Sequence, residues 1–393
     1  MNLLKTVSVM LLGAIAMCSG AAVFAQEDTS ANTTTQKKQL RIATWGGAYG
    51  KSQQAAILNP AAETLGITLA RVEAKRNELA DADVLEVTQA ELVKGCADGR
   101  LAKLDTSQLQ DGVNQETADK DFFDGALTKC SVASMAWSAL ILVNEAKFKS
   151  RVPKTVADAF NTKRFPGKRA LIKKPENLFE FAAIATGSAP QMVYADLENP
   201  NKLQEVMKRL EAVLPHIIWV GSQSAALEKL GSGEAVFAMG YSGRAFRKIV
   251  AGNITALWNA HVYDFTSWAV SAGASDPKMA ASFIALATSP DYLAAHARLW
   301  PYGPMRKSAV ENVGRHATLD IDLAPYMPTS KLRYGQAIRY DAAFWAKNGT
   351  VLNNRLQALI EGFPLGQRVP PPVRRPQRET SAAAAETATS DTN

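Results

Sequence analysis

The chain is poor in the residues from which metal and redox centres are built. It has four histidines and three cysteines in 393 residues. His216, His261, His296 and His316 are scattered without the spacing of metal ligands, so no metal site is expected. No dense Lys/Arg run with interleaved aromatics occurs, and the net charge of +7 is spread thinly, which argues against a nucleic-acid partner. Gly46-Gly-Ala-Tyr-Gly50 has neither the G-x-G-x-x-G spacing nor a following Gly-Lys-Ser/Thr, so no nucleotide cofactor is expected. No nucleophile–base pair or cofactor loop stands out, so no catalytic residue is assigned. Beyond the N-terminus, no run reaches the roughly 20 apolar residues that a membrane-spanning helix needs.

What is present begins with an export signal. Lys5 supplies a positive start, Val7 to Ala16 an apolar stretch, and Val23-Phe-Ala25 a small-x-small cleavage site. Residues 1–25 are therefore read as a cleavable signal peptide, and the mature chain is expected in the periplasm. Met17 beside Cys18 argues against a lipid anchor. Loss of Lys5 with the signal lowers the net charge to +6. Residues 26–38 lack large apolar side chains and read as a flexible leader. Residues 367–393, Pro-rich and then Ala/Thr/Ser-rich, read as a disordered tail. The mature chain keeps Cys96 and Cys130. In an oxidising compartment an even pair reads as a disulfide, with two buried thiols as the alternative. A bridge closing 34 residues would stabilise by about 3–4 kcal/mol in the chain-entropy model.

Between leader and tail, strand and helix patterns alternate. Leu40–Thr44 is a strand ending at Trp45-Gly-Gly47. Lys51–Leu65 is a helix stopped by Gly66, Ile67–Glu73 a strand, and Asp83–Leu85 another, followed by a helix from Ala90 to Cys96. That order predicts a parallel sheet with right-handed crossovers. Ligands then sit beyond the carboxyl ends of the strands, where Trp45, Thr88 and Gln89 fall. Ala136–Asn144 suits a strand passing from one lobe into another. Ala170–Ile172, Ile217–Val220 and Ala235–Met239 make strands of a second α/β unit ending near Asn259, and Val262–Val270 leads the chain back. Two crossings make a hinge, and a hinge between lobes is a ligand clamp. The expected lobes are 39–143 with 263–366, and 144–262.

Several stretches, in order and spacing, carry a family resemblance: Arg41-Ile-Ala-Thr-Trp-Gly-Gly-Ala-Tyr49, Gly95-Cys96 through Leu101, Lys129-Cys130 before Met135-Ala-Trp-Ser138, Phe165-Pro-Gly-Lys-Arg169, Pro215-His-Ile-Ile-Trp219, Tyr241-Ser-Gly-Arg244 and Tyr302-Gly-Pro304. Over roughly 39–366 the chain resembles the type II periplasmic binding proteins of the spermidine/putrescine cluster, the receptors of ABC importers. The resemblance implies a two-lobe α/β fold with a hinge and an interlobe cleft. It also implies a monomer that delivers a small-molecule solute to an inner-membrane permease, and it supports the Cys96–Cys130 disulfide. By the same resemblance Trp45 and Tyr241 are aromatic walls, Asp264 and Thr266 lie where amine-binding members carry carboxylates, and Arg244 lies where carboxylate-binding members use a guanidinium. Ser138, Glu180 and Tyr302 join Thr88 as further candidate contacts. Only Asp264 remains of the acidic pair on the returning strand, and Lys173-Lys-Pro-Glu-Asn177 lacks an acidic cluster. Burying a polyamine without several carboxylates is costly, and Arg244 points to a ligand with a carboxylate; the expected solute is small and amine-bearing or zwitterionic, polyamine-like, amino-acid-like or opine-like. An enzyme or an accessory sensor on the same scaffold is the alternative.

Overall fold

A computed structural model of the chain describes residues 37–75 and 78–363; the signal peptide, most of the leader and the expected disordered tail lie outside them. Among the described residues eleven strands join in one sheet, and no helix is long and apolar enough to cross a membrane. The strands are β1 Gln39–Thr44, β2 Thr68–Glu73, β3 Val84–Thr88, β4 Leu127–Thr128, β5 Ser131–Asn144, β6 Arg169–Ile172, β7 Ile217–Val220, β8 Phe237–Tyr241, β9 Ile254–Val270, β10 Gly303–Pro304 and β11 Ile338–Arg339. Their main path runs β2-β1-β3-β9-β5-β8-β6-β7.

The first three strands are parallel, as their order predicts, while the sheet as a whole is mixed. β1 pairs parallel with β2 and β3, and β6 with β7 and β8, as helical crossovers require. The two long strands β5 and β9, however, lie antiparallel to each other and to their neighbours β8 and β3. The reason is connectivity. Each long strand carries the chain once between the two halves, in opposite directions, so they meet head to tail in the middle of the sheet. β9 begins at Ile254, eight residues before the expected Val262, because its first half pairs with Ile141–Asn144 inside the second half.

Two separate apolar clusters account for most of the core. One gathers Leu40, Ile42, Ile57, Val84, Phe265, Trp268, Phe283, Leu293 and Met305. The other gathers Leu140, Leu142, Phe179, Phe181, Leu210, Phe237 and Met239. A smaller cluster with Leu85, Leu92, Cys130 and Ala269 covers the opposite sheet face of the first. Cys96 and Cys130 are joined as a disulfide there. The C-terminal helix Ala342–Ile360 belongs to the expected 263–366 segment, yet it packs Phe344, Trp345, Leu352, Leu356 and Leu359 into the second cluster.

Between the clusters the register of β5 and β9 jumps: Ala139 pairs with Val262, but Ile141 pairs with Leu257. The extra residues of β9 bulge out, with Ala260 at φ 55°, and bulges bend and twist a strand. His261 in this bulge takes Ser138 Oγ at 2.7 Å on Nδ1 and meets the Arg333 carbonyl at 3.1 Å from Nε2. Burial holds its imidazole down at about 4, so it is neutral. The carbonyl then fixes the proton on Nε2, and Ser138 donates to Nδ1. Trp258 packs edge-on against His261, and the Arg333 guanidinium lies 5.0 Å from the Trp258 ring centre.

Candidate functional site

One residue of β5 breaks an otherwise unbroken run of buried positions: Trp137. It stands where four strands meet. Its partner on β9 is Asp264. Along the other edge of β5, Tyr241 of β8 pairs with Ala139 and Gly303 of β10 pairs with Ala136, so Tyr241 and Tyr302 flank Trp137. The Trp137 and Tyr241 rings lie 4.4 Å apart, tilted by 44°. Lys174 Nζ reaches the Tyr241 hydroxyl at 3.4 Å. Sequence reasoning used Lys173 and Lys174 only as evidence of missing acid; Lys174 is itself at this patch.

Beside it lies a buried carboxylate absent from the sequence-based site. Glu86 of β3 accepts from Tyr49, from Gln53 Nε2 at 3.0 Å and from Thr266 Oγ1 at 2.8 Å. The backbone of Trp45 adds a further hydrogen bond. Burial nevertheless raises its pKa above the usual carboxylate range, because no cation compensates it. The signal was available: a charged residue within Val84-Leu-Glu-Val87, on a strand otherwise read as core. Tyr49 packs on Tyr302 at 5.5 Å and on His296 at 5.1 Å. Desolvation pushes the Tyr302 phenol up to about 12; Tyr241, Arg244 and Glu86 all act on it by their charge.

The expected site residues fall into two sets. Tyr241, Asp264 and Tyr302 are brought together around Trp137, with Trp45 on the neighbouring Glu86 through its backbone. Asp264 is nearly buried, and its Oδ1 accepts the Phe265 N–H at 2.8 Å. Arg244 is exposed on the first turn of the helix Ser242–Val250. Gly243 before it touches the Trp300–Tyr302 turn so closely that an added Cβ would stand 2.5 Å from Trp300 Nε1 and 2.6 Å from Tyr302 Cε1. The remaining residues are engaged elsewhere. Thr88 caps the helix Gln89–Ala97, its hydroxyl 3.4 Å from the Glu91 N–H while Glu91 reaches back at 2.8 Å; Thr88-x-x-Glu91 is a capping box. Thr266 donates to Glu86, and Ser138 is fully buried against His261. Glu180 is fully buried in the second cluster, accepting from Tyr194 at 3.0 Å and from Trp345 Nε1 at 2.9 Å. Burial raises it to about 7. It ties the C-terminal helix to the second core.

Two cores joined by a pair of crossing strands, with an aromatic patch and opposite charges at the crossing, define a two-lobe solute-binding protein. The comparisons agree. The family model for bacterial extracellular solute-binding proteins matches residues 63–320, and the chain belongs to that family. The gamma-aminobutyric acid-binding protein of Pseudomonas aeruginosa is 28% identical over 340 residues, covering 84% of this chain and 93% of the relative. An ABC transporter substrate-binding protein from Bradyrhizobium japonicum USDA 110 superposes with a TM-score of 0.70 at 24% identity, over 82% of this chain and 99% of that one. The binding protein MotA from A. tumefaciens B6, solved with glucopine, gives 0.67 at 24% identity over 82% and 99%. These relatives are binding proteins, not enzymes; the chain captures a solute and does not transform it.

Proposed function

We propose that the protein captures a small zwitterion, an ω-amino acid of the 4-aminobutanoate type, in the periplasm and presents it to an ABC permease. The observation that carries this reading is the cross-strand pairing of Trp137 with Asp264, with the Tyr241 ring 4.4 Å from that of Trp137 and Lys174 Nζ 3.4 Å from the Tyr241 hydroxyl. Asp264 holds the ammonium, with the Glu86 charge behind it. Arg244, assisted by Lys174, holds the carboxylate, since a guanidinium forks onto one. Trp137, Tyr241 and Tyr302 wall the methylene chain and favour the cationic end. The first lobe comprises about 39–138 with 263–337. The second comprises about 139–262 with the C-terminal helix, and the bulge at 258–261 is the hinge. The exported chain acts as a monomer. The 28% identical gamma-aminobutyric acid-binding protein supports the ligand class, and the shortage of acid on the second lobe weighs against a polyamine.

Calorimetric titration tests it. 4-Aminobutanoate binds at micromolar affinity or better, and Arg244→Ala weakens it about 100-fold, the cost of leaving a charge-assisted pair unmade. Putrescine, which lacks the carboxylate, binds far more weakly. Equal affinity for putrescine and 4-aminobutanoate would overturn the assignment of Arg244.

A further inference from the structure

The first lobe holds a pocket of about 480 Å³ that shares no residue with the aromatic patch. Phe123, Val310, Met327 and Tyr334 wall it, with the exposed Leu332 beside them. The Phe123 and Tyr334 rings lie 4.7 Å apart, and Tyr334 packs in turn on Tyr263 of β9 at 5.6 Å. Successive residues of a strand point to opposite faces. Tyr263 therefore stands on the face opposite Asp264 and its partner Trp137, so the pocket lies behind the crossing strands and not in the cleft.

The polar groups of the pocket say what it can hold. Thr329 and Ser330 line it, each only 2% exposed, and among the described residues neither hydroxyl has a hydrogen-bond partner. A buried hydroxyl left unpaired is costly, and a bound group that pairs with it recovers the loss. Four charged residues also line the pocket, two of each sign, and all are engaged. Lys331 pairs with Glu311 at 2.9 Å, Lys307 Nζ donates to the Lys120 carbonyl, and Asp322 accepts the Ala324 N–H at 3.1 Å. An ion would lose its water here for no net opposite charge. A neutral molecule with an apolar ring body and one hydroxyl suits the space, whose size is within the range of small-molecule sites.

The segment that carries the two hydroxyls also reaches the hinge. Residues 329–332 and Tyr334 line the pocket, while Arg333 between them meets the bulge of β9. Its carbonyl lies 3.1 Å from His261 Nε2, and its guanidinium 5.0 Å from the Trp258 ring centre. The Ser330 carbonyl accepts the N–H groups of Arg333 and Tyr334, each at 2.9 Å, so pocket wall and hinge contact are one tight turn.

From these features we infer that the pocket binds a small neutral aromatic alcohol of the phenol class, and that its occupancy holds the Arg333 turn against the bulge at 258–261. These hinge contacts coexist with the Gly243 contact that joins the lobes. Occupancy therefore favours the arrangement with the lobes together and strengthens solute capture, and the coupling is reciprocal. The site itself does not depend on which solute the cleft takes.

The test uses 2-naphthol, titrated calorimetrically into the full mature chain. It is expected to bind at micromolar affinity, and 2-naphthoate, which puts a charge in place of the hydroxyl, at least about tenfold more weakly. Leu332→Glu, at an exposed position, and Ser330→Ala each weaken 2-naphthol by about fivefold or more. Bound 2-naphthol slows amide hydrogen exchange in residues 258–262 by at least about threefold and raises affinity for 4-aminobutanoate by a similar factor. Arg333→Ala, outside the pocket, keeps 2-naphthol binding and abolishes that slowing. The pocket is overturned if 2-naphthol does not bind, if 2-naphthoate binds equally well, or if binding survives both pocket variants. Binding that leaves exchange at 258–262 unchanged, or slowing that persists in Arg333→Ala, overturns the link to the hinge. If 2-naphthol behaves as stated and 4-aminobutanoate does not bind, the cleft reading falls and the pocket stands.

Discussion

Glu180 is a carboxylate with no cation to meet it, yet it is buried completely and holds two hydrogen-bond donors. Its pKa of about 7 in the folded protein stands above the ordinary 4.5. The native state therefore binds the proton more tightly than the unfolded chain does. The stabilising contribution is full below about pH 4.5 and is lost as pH rises to about 7, a change of up to about 3 kcal/mol. Glu180→Gln should remove this slope: urea denaturation across pH 5 to 8 should show the variant gaining on the wild type as pH rises. Parallel stability profiles would contradict it. The same kind of residue marks where sequence reasoning stopped. Glu180, polar amid Leu178-Phe-Glu-Phe181, was singled out for the cleft, but its neighbours bury it with Trp345, 165 positions away. Glu86 sits in an equally apolar setting and was passed over. Pattern reveals an odd polar residue; only the packing partner decides whether it faces a ligand or a helix.

At the scale of elements, most strands and helix stops were legible, because local rules decide them. Gly66 and Gly99 take positive φ where the two helices before them end, as an αL terminus requires. Ile217–Val220 forms a strand at those bounds. What local pattern could not supply was pairing: β5 and β9 read as ordinary buried strands, and their antiparallel contact and bulge follow from which lobe each end joins. The helix Ser242–Val250 gives a test at this scale. Gly243 admits the Trp300–Tyr302 turn against the helix start, and any Cβ there meets those rings. Gly243→Ala should prop the lobes apart. We expect a loss of about tenfold in affinity for 4-aminobutanoate, equivalent to about 1.4 kcal/mol, with the thermal midpoint of the unliganded protein little changed. A variant that binds like the wild type would show that this contact does not govern closure.

For the molecule as a whole, the two-lobe plan was visible in the order of strands and in scattered motifs, and the family match over residues 63–320 agrees with it. The C-terminal helix follows the first-lobe segment in chain order, but its apolar side chains pack into the second core. Asp264, Thr266 and Tyr302 stood out in the sequence, but Glu86, Tyr49 and Gln53, which the structure gathers beside Thr266, did not. Closure around a solute is energetically possible only if the ligand contacts both lobes, since a ligand shifts the balance of open and closed forms by its differential affinity alone.

The most direct measurement is a crystal structure of the protein grown with 4-aminobutanoate. The account predicts one molecule beside Trp137, its ammonium within about 3 Å of the Asp264 carboxylate and its carboxylate within about 3 Å of the Arg244 guanidinium. A solute bound to one lobe only, or with its carboxylate turned toward Asp264, would contradict it.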